Sequence, residues 1–191
     1  MKLTTYLKPC SEEEIRQYIK DANGHIDKLY LHWTAGRYDQ VFDEDYHISI
    51  DREGRIYCPD GDLTLYKPHT WHRNTYACSI TLNCCYGAVA NNGYDADFGL
   101  FPPTEAQIEA MSLVCAMFLK HGGIGLADIM THCEAAFEDG YGPGSGDPET
   151  RWDLWFLPDN AYLDNDGRPQ MRGGGNVIRG KAIWYSQWTD V

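Results

Sequence analysis

The chain has 191 residues, 43% apolar and 23% charged, enough for one globular domain with a core and too little for two of ordinary size. Its 16 Lys and Arg against 28 Asp and Glu leave a net charge of −12, a field that repels a polyanionic duplex and excludes nucleic acid as an expected partner. No apolar run reaches the roughly 20 residues that span a bilayer. Residues 1–9 carry Lys2 and Lys8 without the apolar stretch of a secretory signal, so the expectation is synthesis in the cytoplasm. Aromatic residues reach 13%, with 13 Tyr and 6 Trp, a composition suited to gripping something flat or sugary. The seven cysteines form no Cys-x-x-Cys pair, and most lie inside apolar runs, where a free thiol behaves as a small hydrophobe.

In chain order, Ser11 and Glu14 form a capping box for a helix whose apolar face is Ile15, Tyr18 and Ile19 and which stops near Asn23-Gly24. Lys28 to Trp33 reads as a strand ending in the small-residue turn Thr34-Ala35-Gly36. Tyr46–Ile50 and Arg55–Cys58 read as a β-hairpin with Gly54 in its turn, and Ala77–Leu82 as a further strand. Residues 86–103 are rich in Gly, Asn, Asp and Pro and read as irregular. Thr104 and Gln107 cap the strongest helix, with a broad stripe from Ile108 to Leu119, ended by His121-Gly122-Gly123. A short strand, Ile129–His132, a glycine-rich loop over 137–150 and a Gly/Asn/Asp-rich stretch over 158–176 follow. Ile178–Trp188 is a closing element of unassigned type. The pattern predicts a single α/β domain over 1–191, with a mixed central β-sheet flanked by helices.

His32 and His132 each end a strand and precede a loop, where α/β folds place reactive groups. If those strands are neighbours, both imidazoles converge on one ion. Glu134, Asp147 and Asp153 are the acidic candidates for a third ligand. Two histidines and a carboxylate with a position left for water is the pattern of a hydrolytic zinc site.

Local strings sharpen this. Leu31-His32-Trp33-Thr34-Ala35-Gly36 and the run from Tyr46 to Tyr57 closely resemble the opening of the zinc-dependent N-acetylmuramoyl-L-alanine amidases, the family of T7-type phage lysozymes and peptidoglycan recognition proteins. Pro68-His69-Thr70-Trp71-His72-Arg73-Asn74 with Ser79-Ile80, then Thr104–Gln107, Thr131-His132-Cys133-Glu134 and Arg151-Trp152-Asp153, are similar to later family segments in the same order. The resemblance covers roughly residues 26–157 and leaves 158–191 as a C-terminal extension.

It implies Zn2+ held by His32, His132 and Asp153; Asp147 is the rival third ligand, but Arg151-Trp152-Asp153 keeps the family's basic-x-acid spacing. It also implies hydrolysis of the amide between N-acetylmuramic acid and L-alanine of the peptidoglycan stem. Tyr46 matches the family's active-site tyrosine. Arg151 stands where relatives often carry Lys and can stabilise an oxyanion. Glu134 is expected to orient His132 through its free ring nitrogen or to assist proton transfer. His69, Trp71 and Trp33 are the expected substrate contacts, and His47 is read as core. One departure is that Thr81-Leu82-Asn83 lacks the carboxylate some relatives carry after the Ser-Ile strand. The alternatives are a peptidoglycan-binding module without turnover, or a zinc hydrolase acting on another amide. A phage-type lysin or delivered effector, acting on the wall after release, fits the N-terminal reading. Any delivery machinery or immunity partner is left unidentified.

Overall fold

The computed structural model describes residues 1–92, 95–147 and 151–191. Along the chain come β1 (Lys2–Leu3), α1 (Glu12–Ala22), β2 (Lys28–Trp33), β3 (Gln40–Val41), β4 (Ile48–Ile50), β5 (Ile56–Tyr57) and β6 (Ala77–Leu82). After them come β7 (Val89–Asn92), β8 (Asp95–Asp97), α2 (Glu105–His121), β9 (Ile129–Thr131), α3 (His132–Asp139), β10 (Phe156–Leu163), β11 (Pro169–Gly173) and α4 (Gly174–Trp188). Among the described residues no helix is long and apolar enough to cross a membrane.

The central sheet has five strands in the order β5-β4-β6-β2-β9, parallel except for β5, which returns antiparallel to β4 through a turn with Gly54 at φ 79°. Side chains alternate across a strand. Leu29, Leu31, Cys78, Ile80, Leu82, Ile48, Ile50 and Ile129 point to one face and join the main core with α1, α2 and α4. Helix α2 lies within this layer and is buried through most of its length, from Gln107 to Phe118. Both predicted capping boxes, Ser11–Glu14 and Thr104–Gln107, are formed.

The opposite face is polar by the same alternation. It carries Tyr30, His32, Ser49, Ser79 and Thr81, all buried, and α3 covers one end of it through Ala135. In the parallel pairing of β2 with β9, Leu31 stands opposite Thr131, so one further step brings His32 beside His132.

Several expected elements need correction. His132 does not end a strand: Thr131 caps α3 in a box with Glu134, and His132 is the first helical residue. The Thr131-x-x-Glu134 spacing carried that signal, and a strand reading of 129–132 hid it. The first strand of the central hairpin begins at Ile48 rather than Tyr46. Residues 86–103, read as irregular, hold the antiparallel pair β7–β8. The stretch over 158–176 is largely the β10–β11 hairpin, and the closing element is helix α4, packed along α2 and starting at Gly174.

The start of α4 makes the tightest approach. A Cβ on Gly174 would run into the Leu154 carbonyl oxygen, whereas nothing lies within 4 Å of the Cβ position at Gly180. Gly174→Ala is therefore expected to destabilise the protein by about 1–3 kcal/mol. Gly180→Ala, on an exposed helical position, should stabilise it by about 0.5–1 kcal/mol. Urea unfolding of the two variants checks the opposite signs.

Candidate metal centre

His32, His132 and Asp153 meet at the sheet's C-terminal edge. The Asp153 carboxylate spans the two rings, with Oδ2 3.0 Å from His32 Nδ1 and Oδ1 3.2 Å from His132 Nδ1. The ring centroids are 4.8 Å apart, and one ligand atom from each residue lies within 4.8 Å of the others. Ligands about 2.0–2.2 Å from a tetrahedral ion stand about 3.3 Å from one another, so the donor set fits zinc in type and spacing. All three residues are buried, at 0%, 7% and 7% exposure.

Asp153 is fixed from both sides. Trp152 packs edge-on against Trp33 at 5.1 Å, and Leu154 is fully buried with φ 59°, an uncommon conformation for a branched residue. The Gly174 amide donates to the Trp155 carbonyl, tying this segment to the start of α4. His132 is fixed through its helix. At the N-terminal end of α3, Arg179 of α4 forks onto Glu134 at 2.6 and 2.7 Å and also donates to the Ile129 carbonyl. At the C-terminal end, Arg73 grips Asp139 through two hydrogen bonds of 2.6 Å and Glu138 through one of 2.9 Å.

The expected role of Glu134 is thereby corrected. Its carboxylate caps α3 and pairs with Arg179, so it neither orients the His132 ring nor faces the cavity; His132 Nε2 is buried without a hydrogen-bond partner among the described residues. Asp147, the rival third ligand, lies on the cavity wall outside the His32–His132–Asp153 group.

A cavity of about 940 Å³ opens over the cluster, with Tyr46, His69, Trp71, Tyr141 and Arg151 in its wall. Tyr46 packs on His32 at 5.1 Å between centroids. Burial, with Asp153 and Asp45 nearby, raises its pKa, so it stays a neutral phenol able to donate. Trp71 is 64% exposed and lies near-perpendicular to the Tyr141 ring, 5.8 Å away between centroids. Trp33 borders the cavity but is a core residue, 5% exposed and packed on Phe98 and Trp152. His47 is core as expected: Nε2 donates to the Leu65 carbonyl at 2.7 Å, leaving Nδ1 to accept from Ser79. Tyr141, whose buried hydroxyl has no hydrogen-bond partner among the described residues, was not singled out from the sequence because it follows a glycine in a loop without a motif. Asn74, which clamps the loop at His69 and Thr70, was visible only as one letter of a motif.

A family model described as N-acetylmuramoyl-L-alanine amidase matches residues 22–148. The chain belongs to this amidase family. The match contains His32, Tyr46, His69 and His132 and ends before Asp153. No curated protein sequence matches the chain. Among solved structures, the chain is similar to the Drosophila peptidoglycan recognition protein SA, with 15% identity, TM-score 0.41, and coverage of 56% of this chain and 67% of that one. It is also similar to the endolysin amidase LysCS from Clostridium intestinale, with 15% identity, TM-score 0.39, and coverage of 58% and 72%. For the Ph2119 endolysin from a Thermus scotoductus bacteriophage the values are 18%, 0.38, 56% and 71%.

Electrostatics follow from burial. Desolvation lowers the pKa of His32 and His47 to about 4 and that of His69 to about 2, from 6.5. Burial opposes ionisation of Asp153, but the facing imidazoles outweigh it and hold the carboxyl well below its usual range. Below pH 6.5 the unfolded chain takes up protons that these buried rings refuse. Stability of the chelator-treated protein should therefore be full above that pH and fall toward pH 4, by about 1.4 kcal/mol per pH unit for each such histidine. A urea midpoint unchanged between pH 7 and pH 5 would contradict this burial.

Proposed function

We propose that the chain is a zinc-dependent peptidoglycan hydrolase cleaving the amide between N-acetylmuramic acid and L-alanine of the stem peptide. The observation that carries this reading is the buried His32–His132–Asp153 group at the floor of an open cavity, in a chain of the amidase family. Zinc held by these residues supplies an acidified water and a polarised scissile carbonyl at neutral pH.

The chain's own residues do the rest. Tyr46, kept neutral by burial, donates a hydrogen bond to the carbonyl oxygen as negative charge develops there. Arg151, in the same wall, adds positive charge for that oxyanion and for the substrate's carboxylates. Trp71 offers an exposed aromatic ring for a sugar, and the Tyr141 hydroxyl a donor for the glycan or peptide. Glu134 takes no part in proton transfer, being committed to Arg179. The intact ligand set favours turnover over binding alone.

Asp153→Ala is expected to lose most bound zinc and all lysis of purified sacculi, while Asp147→Ala keeps its zinc. Tyr46→Phe should retain the metal and lose about 10²–10³-fold in turnover. Mass analysis of wild-type digests should find free stem-peptide amino termini and no new reducing sugars. Zinc retained in Asp153→Ala but lost in Asp147→Ala would reassign the ligand, and products other than lactyl-free stem peptides would overturn the reaction.

A further inference from the structure

Thr70 stands between two rings. Its Oγ1 lies 2.9 Å from His69 Nδ1 and 3.3 Å from His32 Nε2, and all three side chains are buried. The loop carrying it is pinned by Asn74, whose Oδ1 accepts the backbone N–H groups of His69 at 3.1 Å and Thr70 at 2.7 Å.

A hydroxyl has one hydrogen. It also has two lone pairs, but Thr70 Oγ1 has no third hydrogen-bond partner among the described residues, so its hydrogen goes to one ring nitrogen while the other nitrogen donates to it, and only one of the two carries a hydrogen. In a neutral imidazole, a hydrogen on one nitrogen leaves the other bare. His32 protonated at Nδ1 therefore requires His69 protonated at Nδ1, and His32 protonated at Nε2 requires His69 protonated at Nε2.

The far side of His32 selects between these states. In metal-stripped protein, Nδ1 faces the Asp153 carboxylate at 3.0 Å, and a carboxylate only accepts, so the hydrogen is on Nδ1. A cation at Nδ1 needs that lone pair and leaves the hydrogen on Nε2.

We propose that Thr70 is a positioning residue that locks the His32 and His69 tautomers together, so that loading a cation on His32 moves the hydrogen of His69 from Nδ1 to Nε2. His69 itself lies outside the ligand group. This inference rests on the reading of His32, His132 and Asp153 as metal ligands. The hydrogen count balances: each ring and the hydroxyl hold one before and after, the proton displaced from His32 Nδ1 being matched by one gained at His69 Nε2. That Nε2 is buried without a hydrogen bond of good geometry among the described residues, on a side chain in the cavity wall, although the Ala77 backbone also interacts with the ring. Metal loading thus turns it from a bare acceptor into a donor.

Long-range 1H–15N correlation spectra of histidine-labelled protein read both tautomers directly. On adding one equivalent of Zn2+ to chelator-treated wild type, His32 and His69 are both expected to change from Nδ1–H to Nε2–H. In Thr70→Val, which keeps the volume and loses the hydroxyl, His69 should no longer follow the metal, and zinc affinity should fall about 10–100-fold. Thr70→Ser should restore both. Zinc uptake by the wild type with an unmoved His69 overturns this inference alone, as does a His69 that still follows zinc in Thr70→Val. Failure of the wild type to take up zinc overturns the metal reading and this inference with it. The wild-type comparison decides the matter even if the valine variant does not fold.

Discussion

The Asp153 carboxylate faces two imidazoles in a pocket that water barely reaches, with one oxygen directed at each Nδ1. An anion in such a place is costly unless it is paired. Neutral imidazoles pair it only through hydrogen bonds, whereas a divalent cation satisfies the carboxylate and both rings together. The rest of the site is arranged around holding these three side chains at that separation.

Sheet register does the first part of that work. The parallel pairing of β2 with β9 sets His32 and His132 side by side, on the polar face that strand alternation creates. The second part comes from two arginines that clamp α3: Arg179 at the end bearing His132 and Arg73 at the other. Arg179 and the Gly174 contact belong to chain beyond the family match, as does Asp153. The C-terminal segment is therefore a structural part of the candidate centre, and its packing on α2 joins that centre to the main core.

Much of this was legible in the sequence. Short apolar runs marked β2 and β6 and capping boxes marked α1 and α2, because those signals are local and strong. In the candidate ligand group, His32 and His132 stood out at expected strand ends, whereas Asp153 was singled out only through ordered short strings, since it is too far along the chain for spacing to relate it to them. Glu134 was misread for a physical reason. Its carboxylate satisfies a cap and an arginine 45 residues away, and nothing local announces Arg179. The hairpin β10–β11 was hidden by turn-forming residues whose pairing depends on a partner strand. Thr70 was passed over because a threonine between two histidines becomes informative only when both ring nitrogens are located.

X-ray absorption at the zinc edge tests the central claim most directly. The account predicts a shell of nitrogen and oxygen scatterers at about 2.0–2.2 Å, with multiple scattering from two imidazoles and no sulfur. A sulfur scatterer at about 2.3 Å, which would bring in Cys133 beside His132, or a single imidazole in the shell, would contradict it.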